Sequence, residues 1–239
     1  IPADLVEEVG RIYGYDNLKS TQPLLAETHG GYSAKETAMR RIKDIAQGQG
    51  LMEAISYSLT SPEKAISFTK DPKPVVEVQW PLNSSRSTMR ENLITGLVDA
   101  ASYNMARKQK ELALFEQGRV YDHENNTFNE HEHLAALYSG HTLAANWQHL
   151  DQKIDFYFIK GQLTNLFRAI GIKDEDVEYR AELVQGMHPT RTAGIYINDQ
   201  YVGLIGMLAH AVTTLDKALR GSDIYVYEID LELKKEDKI

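Results

Sequence analysis

Apolar residues recur along this chain with two spacings, one typical of helices and one typical of strands. Repeats of three and four residues predict four helices, over residues 3–15, 34–48, 92–106 and 155–171. Ser33, followed three residues later by Glu36, matches a capping box and predicts the start of the second helix. Gly171 predicts the end of the fourth helix, and Pro62 predicts the start of a further, short one.

Alternating or short apolar runs predict strands over residues 53–60, 75–80, 112–121, 134–139, 193–197, 201–208 and 224–231. The polar segment from His123 to Glu132 is predicted to be the turn of a long antiparallel hairpin. Residues 198–200, Asn-Asp-Gln, predict a second turn between two later strands. Strands joined mainly by hairpins, with helices between them, favour an α+β fold in which helices cover one face of an antiparallel sheet.

A polar segment with Pro and Gly at residues 17–33 predicts a boundary between two units. We expect residues 1–20 to be the end of a preceding small domain plus a linker, and residues 21–239 to form the main domain. The chain begins with Ile1, partway into a helix-like pattern, which we interpret as a piece of a longer protein. The GxGxxG and Walker signatures of phosphate-binding loops are absent from the sequence.

Composition and charge narrow the classes of function. The chain has 239 residues, no cysteine and a net charge of -8, so disulfides and thiolate metal sites are excluded. The acidic balance argues against a domain whose main task is to bind nucleic acid, because such domains usually carry a basic face. No signal peptide is recognisable, and no apolar run approaches the ~20 residues of a membrane span. We therefore expect a cytoplasmic protein with no membrane partner.

Several ordered blocks of the sequence resemble the β subunit of bacterial phenylalanyl-tRNA synthetase. Two early blocks are ADLVEEVGRIYGYDN and RRIKDIAQGQGLMEAISYSLTSPE. The most specific block, residues 81–121, is PLNSSRSTMRENLITGLVDAASYNMARKQKELALFEQGRVY. Two later blocks are DFYFIKGQLTNLF and HPTRTAGIYINDQYVGLIGMLAH. In the last block Thr190 and Thr192 stand where the family usually has Gly and Ser, and the resemblance covers nearly the whole chain.

This resemblance implies the fold of class II aminoacyl-tRNA synthetases and biotin ligases, with residues 21–239 as a non-catalytic copy of that domain. It implies a scaffold that packs on the catalytic α subunit, in an αβ heterodimer that is doubled. The whole enzyme joins phenylalanine to tRNA(Phe) with ATP as substrate and Mg²⁺ as cofactor. The isolated chain is expected to be inactive, and to form a homodimer through the face that its partner would cover.

The residue after GRVY supports a non-catalytic role. Adenylate formation needs positive charge over the ATP phosphates, and class II relatives place an arginine just after the strand that matches GRVY. This chain has Asp122-His123-Glu124 there, and an aspartate repels phosphates. The second arginine of the relatives belongs to a GxGxxxR pattern, whereas Arg191 and Arg220 occur here without it. An active adenylate-forming enzyme of the biotin-ligase type is the alternative function.

The resemblance also implies a Mg²⁺ site at Asp4, Glu7 and Glu8, shared with the α subunit and completed by a residue outside this chain. These residues lie on or near one face of a helix, and Mg²⁺ takes carboxylate oxygens as ligands. Acids that stabilise the first helical turn through its dipole are the alternative explanation. We expect the site to be empty in the isolated chain.

Three histidines, His123, His131 and His133, lie among glutamates in the predicted hairpin turn. A zinc site needs three or four convergent ligands, and such a site would make the protein a metal-dependent hydrolase. A solvated polar turn is the favoured interpretation, and a metal analysis distinguishes the two.

Two further groups have residue types that occur in functional sites. Arg107, Lys108 and Lys110 form the densest basic cluster. We interpret it as a solvated helix end, with a surface that faces the α subunit as an alternative, because the interleaved aromatic residues of a nucleic-acid site are scarce.

Residues 188–191, His-Pro-Thr-Arg, resemble a catalytic cluster but lack a nucleophile elbow. They are predicted to form a loop at the end of the sheet.

Overall fold

The computed structural model describes residues 1–24, 30–124, 126–142 and 152–232. It divides the chain into two compact units, Ile1–Thr37 and Ala38–Ile239. The helices are α1 (Pro2–Tyr13), α2 (Ala34–Gly48), α3 (Pro62–Ala65), α4 (Ile94–Met105), α5 (Phe156–Ala169) and α6 (His210–Leu215). The strands are β1 (Met52–Glu53), β2 (Leu59–Thr60), β3 (Thr88–Met89), β4 (Leu112–Glu124), β5 (Thr127–Ser139), β6 (Val177–Ala181), β7 (Met187–Ile197), β8 (Gln200–Leu208) and β9 (Ile224–Asp230).

The first unit contains α1 and the start of α2. None of the residues of α1 is buried. The predicted capping box is confirmed, because the Glu36 carboxylate accepts from the Ser33 backbone N–H at 2.8 Å and the Glu36 N–H donates to Ser33 Oγ at 3.2 Å.

The second unit is built on a seven-stranded sheet in the order β1-β4-β5-β9-β8-β7-β6. Its neighbouring strands are antiparallel, as predicted, except at one edge. There the two-residue strand β1 runs parallel to β4 and pairs Met52 with Leu114 and Glu53 with Phe115. A separate two-stranded sheet joins β2 to β3.

Helices lie on both faces of the large sheet, so the prediction that they cover one face is wrong. On one face α2 and α5 contribute buried residues such as Ile42, Ile159 and Leu163. On the other face α4 contributes Ile94 and Leu97. The physical reason is that the central strands are buried on both sides, for example throughout residues 134–139, and such strands need cover on both faces.

The hairpin of β4 and β5 is longer than predicted. Its pairing runs without interruption from Leu112 opposite Ser139 to Glu124 opposite Thr127, so the turn predicted over His123 to Glu132 is wrong. β9 pairs with β5 only from His133 onward. The end of the hairpin therefore extends beyond its neighbour, and polar side chains are favourable there because water reaches them.

Other departures from the prediction occur at sheet edges. Residues 53–60 do not form one strand, because the chain leaves the large sheet after β1 and joins the small sheet at β2. Residues 75–80 make only an isolated bridge between Glu77 and Thr88. β6 and α6 are absent from the prediction. Within the described residues, no helix has both the length and the apolar character needed to cross a bilayer.

Candidate functional site

Asp122, the residue after GRVY, is buried and hydrogen-bonded within the hairpin. Its carboxylate accepts from Asn129 Nδ2 at 2.8 Å and lies 3.1 Å from His131 Nε2. Lys73 Nζ is 3.5 Å from the same carboxylate. Burial opposes ionisation, but the hydrogen bond from Asn129 and the charges of Lys73 and His131 outweigh it and hold the pKa of Asp122 below its ordinary value. The position therefore carries a stabilised negative charge.

Lys73 does not supply the missing positive charge to a ligand, because it is neutralised within the chain. Its Nζ lies 2.7 Å from Glu124 Oε2. The hydrogen bond to Glu124 is the main reason that the pKa of Lys73 is raised above its ordinary value. The positive charge of Lys73 is therefore compensated by the carboxylates of Asp122 and Glu124.

Glu91 lies next to this group and is also buried, with 8% of its surface exposed. Its Oε1 accepts from the Lys73 backbone N–H at 3.1 Å, whereas Oε2 has no hydrogen-bond partner among the described residues. Burial raises the pKa of Glu91 to about 7, the Lys73 N–H partly offsets that rise, and the negative charge of Asp122 adds to it. Glu91 is therefore a carboxyl group that titrates near neutral pH.

The N-terminus of α4 is occupied by a carboxylate from the last strand of the sheet. The two oxygens of Glu228 lie 3.1 and 3.0 Å from the Leu93 backbone nitrogen, and Oε2 also accepts from the Ile94 N–H at 3.2 Å. His133 Nδ1 is 2.7 Å from Glu228 Oε1. A helix N-terminus attracts an anion, and here the chain itself provides that anion. The adjoining sheet face is filled by packed side chains such as Leu97.

The three predicted magnesium ligands lie on α1. Asp4 is exposed, and Glu8 accepts from Arg11 at 2.6 and 3.0 Å. Glu7 is exposed, and its backbone oxygen accepts from the Tyr15 hydroxyl at 3.3 Å. In the part of the chain that the structure describes, no group of three or more His, Asp or Glu side chains is arranged to hold a metal ion. Magnesium binding by these residues stays a prediction.

The three hairpin histidines have different partners. The His123 ring stacks on Phe128 with centroids 4.7 Å apart, while His131 contacts Asp122 and His133 contacts Glu228. The described residues thus give a metal-dependent hydrolase no shared ligand set.

Residues 188–191 lie within β7, so the loop predicted there is wrong. The register of β7 against β8 shifts between Met187 and Thr192, which lets these four residues leave the regular ladder while remaining in the strand. Thr192 Oγ1 donates to the His188 carbonyl at 2.7 Å and closes this irregular stretch. A register shift depends on the partner strand, and the sequence of one strand does not reveal it.

The basic cluster lies on the turn that follows α4. Arg107, Lys108 and Lys110 are all exposed, and the Arg107 guanidinium lies 3.4 Å from the centroid of the Tyr103 ring. This exposure agrees with the interpretation as a solvated helix end.

A buried ion pair that was not predicted from the sequence joins two parts of the most specific sequence block, the segment before α4 and β4. Arg90 Nη1 lies 2.6 Å from Glu116 Oε1 and donates to Ser56 Oγ at 2.9 Å, and Ser56 Oγ donates to Glu116 Oε2 at 2.6 Å. Two glycines make room for this network. A Cβ at Gly118 would lie 2.6 Å from Arg90 Nη2, and one at Gly96 would lie 2.2 Å from Ser56 Oγ. The signal in the sequence was an acid, Glu116, inside the apolar run LALFEQG.

Residues 52–58, which comprise β1 and the chain that leads from it to β2, are called the edge segment. Its large apolar side chains face solvent, since Ile55 is 90% exposed and Tyr57 is 72% exposed. The alternating residues Ala54, Ser56 and Ser58 are half-buried. A strand on a protein surface normally has the opposite pattern, with apolar residues inside, so the edge segment has the pattern of a surface that another molecule covers.

A family model and similar proteins indicate the same family for this chain. Residues 18–231 match the family described as phenylalanyl tRNA synthetase beta chain CLM domain. Over 232 residues, or 97% of this chain, the sequence is 98% identical to the phenylalanine–tRNA ligase beta subunit of Lactobacillus johnsonii and 78% identical to that of Lactobacillus acidophilus. The corresponding subunit of Latilactobacillus sakei is 40% identical over 234 residues. The chain spans 29% of the length of each of these relatives.

Solved structures support the predicted class II fold. Two structures of pyrrolysyl-tRNA synthetase from Desulfitobacterium hafniense superpose with TM-scores of 0.55 and 0.57, at 17% and 15% identity. They align with 83% and 82% of this chain and with 66% of their own. The relatives do not favour the biotin-ligase alternative. The chain belongs to the family of phenylalanyl-tRNA synthetase β chains.

Proposed function

We propose that this segment is a non-catalytic scaffold within the enzyme that charges tRNA(Phe) with phenylalanine using ATP. The support is its membership of the β-chain family, whose name implies an α subunit and a tRNA substrate. The catalytic work belongs to the α subunit, in a doubled αβ heterodimer in the cytoplasm. Residues 1–20 are the end of a preceding small domain, and residues 21–239 are the synthetase-like domain.

The observation that carries the non-catalytic role is the ionised, buried Asp122. A phosphate placed beside it would meet a negative charge whose own cation, Lys73, is already bonded to Glu124. The start of α4, which could otherwise bind an anion, holds Glu228. A site for ATP phosphates needs uncompensated positive charge. Around Asp122 and the start of α4, the positive charge is already compensated by carboxylates of the chain itself.

We propose that the edge segment is part of the surface that packs on the α subunit. Ile55 and Tyr57 present apolar area to solvent, while Ser56 is bonded to Glu116 and fixes the backbone behind them. A pre-ordered apolar segment loses little entropy on binding, which favours affinity. The same face allows the isolated chain to form a homodimer.

We propose Asp4, Glu7 and Glu8 as ligands for Mg²⁺ in the assembled enzyme. Their exposed carboxylates are the oxygen donors that this ion prefers. Bound there, the ion would offset two of the three negative charges and join the two subunits. Replacing Asp4 and Glu7 with asparagine and glutamine is expected to weaken Mg²⁺-dependent thermal stabilisation of the assembled enzyme, measured without substrates.

The first test mixes this chain with the α subunit of Lactobacillus johnsonii phenylalanine–tRNA ligase on a sizing column with light scattering. A stable mixed complex is expected, and Ile55→Asp is expected to weaken it. Leu183→Asp is the matched control, because Leu183 is also exposed, at 77%, and lies next to β6 at the opposite edge of the sheet. Failure of the unmodified chain to bind the α subunit would contradict the proposed interface. Phenylalanine-dependent ATP–pyrophosphate exchange by the chain alone would contradict the non-catalytic role.

A further inference from the structure

A cavity of about 440 Å³ lies beside the edge segment, between the loop that precedes β3 and the outer side of α4. That volume equals roughly 15 water molecules, which is room for a few side chains of a partner. Tyr57 stands at its rim, and the hydroxyl residues Thr60, Ser61 and Ser85 contribute to its walls. The walls of the cavity therefore combine polar and apolar surface, whereas the exposed face next to it is apolar.

Three cations line this cavity, and two of them are paired. Lys64 Nζ lies 2.7 Å from Asp99 Oδ1, and Arg90 is buried against Glu116. Arg86 differs, because none of the described carboxylates lies within ion-pair distance of it. Its guanidinium instead lies 3.7 Å from the centroid of the Tyr57 ring.

Stacking on Tyr57 holds the Arg86 side chain while leaving its N–H groups available at the edge of the plane. An arginine held on an aromatic ring loses less freedom when it binds a carboxylate, and its planar fork matches the two oxygens of that group. The serine and threonine hydroxyls of the walls can donate further hydrogen bonds. The arrangement is a receptor for one carboxylate.

We infer that this cavity receives an aspartate or glutamate side chain of the α subunit, with Arg86 as its principal partner. The inference rests on the proposed packing of the edge segment on that subunit. Protein is favoured over RNA as the occupant for two reasons. RNA binding needs several uncompensated cations along a path, whereas this cavity offers one beside the carboxylate of Asp99. The adjoining apolar residues, Ile55 and Tyr57, also fit a protein interface.

The test measures binding of the α subunit to variants of this chain by titration calorimetry. Arg86→Glu is expected to weaken binding at least about tenfold, because it replaces an attraction with a repulsion. Arg86→Lys, which keeps the charge but loses the planar fork, is expected to give a smaller loss. Arg180→Glu is the control for position, because Arg180 also lies over a tyrosine, 4.2 Å from the Tyr196 centroid, but on β6 at the far edge of the sheet, where it pairs with Glu178 and Asp199. Circular dichroism establishes that each variant is folded.

The outcomes separate this inference from the proposed function. Binding of the α subunit that Ile55→Asp weakens and Arg86→Glu leaves unchanged would overturn the inference while keeping the interface. No binding by the unmodified chain would overturn both. If Arg86→Glu instead reduces binding of tRNA or of inorganic phosphate and spares the α subunit, the cavity is a phosphate site and the inference is wrong. An acidic residue of the α subunit whose change to lysine restores binding to Arg86→Glu would identify the partner side chain.

Discussion

Replacing Glu91 with glutamine is expected to stabilise this protein increasingly as the pH rises. Burial raises the pKa of Glu91 from 4.5 to about 7 in the folded state. Between these two values the folded protein binds a proton that the unfolded chain has released. The free energy of unfolding of the unmodified protein therefore falls as the pH rises through this range. Glutamine does not titrate, so the variant escapes that loss.

The magnitude follows from the difference between the two pKa values. A shift of about 2.5 units corresponds to about 3.4 kcal/mol in total, at 1.36 kcal/mol per unit. Part of this change occurs below pH 5, and about 2.5 kcal/mol falls between pH 5 and pH 8. The amide retains an oxygen that can accept from the Lys73 N–H, and any cost of burying its unpaired N–H groups is independent of pH. The slope of the difference with pH therefore isolates the Glu91 carboxyl.

The assay is urea denaturation followed by circular dichroism at several pH values from 5 to 8. The free energy of unfolding of Glu91→Gln minus that of the unmodified protein should grow by about 2.5 kcal/mol over this range. Glu77→Gln, at an exposed acid, serves as control, and the rise with pH for Glu91→Gln should exceed that for Glu77→Gln. A difference for Glu91→Gln that is constant, or that shrinks with rising pH, would refute the reasoning.

Three further changes test the charges and glycines around β4. Arg90→Met should lower the free energy of unfolding by about 3–5 kcal/mol in urea denaturation, because it leaves Glu116 buried without its partner. A smaller cost would mean that water reaches that carboxylate. Gly118→Ala should cost about 1–3 kcal/mol, since its Cβ would lie 2.6 Å from Arg90 Nη2, whereas Gly161→Ala, with open space around it in α5, should be neutral or stabilising. Asp122→Asn should destabilise the protein by about 1 kcal/mol at pH 7. The pKa of Asp122 is below its ordinary value. That cost should therefore disappear as the pH falls and the aspartate of the unmodified protein takes up a proton. A cost that persists in acid would contradict this.

The sequence predicted the elements whose signals are local. The long helices and the capping box at Ser33 follow from spacing and from residues three apart, and both are present. The strands of the central sheet were also predicted, but their two-sided cover was not. The continuous apolar run at residues 134–138 is the signal that indicates burial on both faces. The end of the β4–β5 hairpin was predicted as a turn because its residues are polar. They are polar because only the two hairpin strands pair there, without a third strand beside them.

The candidate site was predictable in part. The acid at Asp122 can be read directly from the sequence, but its stabilisation depends on Lys73 and His131, which only the fold brings near it. The bond between Glu228 and the start of α4 joins residues 135 positions apart. The exposure of Ile55 was also hidden, because an alternating pattern does not state which of its two faces meets the core.

The position of β9 has a consequence for how the chain folds during synthesis. Among the described strands of this sheet it is the last to leave the ribosome, yet it lies in the middle of the sheet, between β5 and β8. Until it arrives, the strands before it can form only two separate half-sheets, each with an open edge where β9 will insert. The same late strand carries the Glu228 cap of α4. Open strand edges invite pairing with other chains, so nascent chains that stall before residue 224 should be the form of this protein that most needs a chaperone.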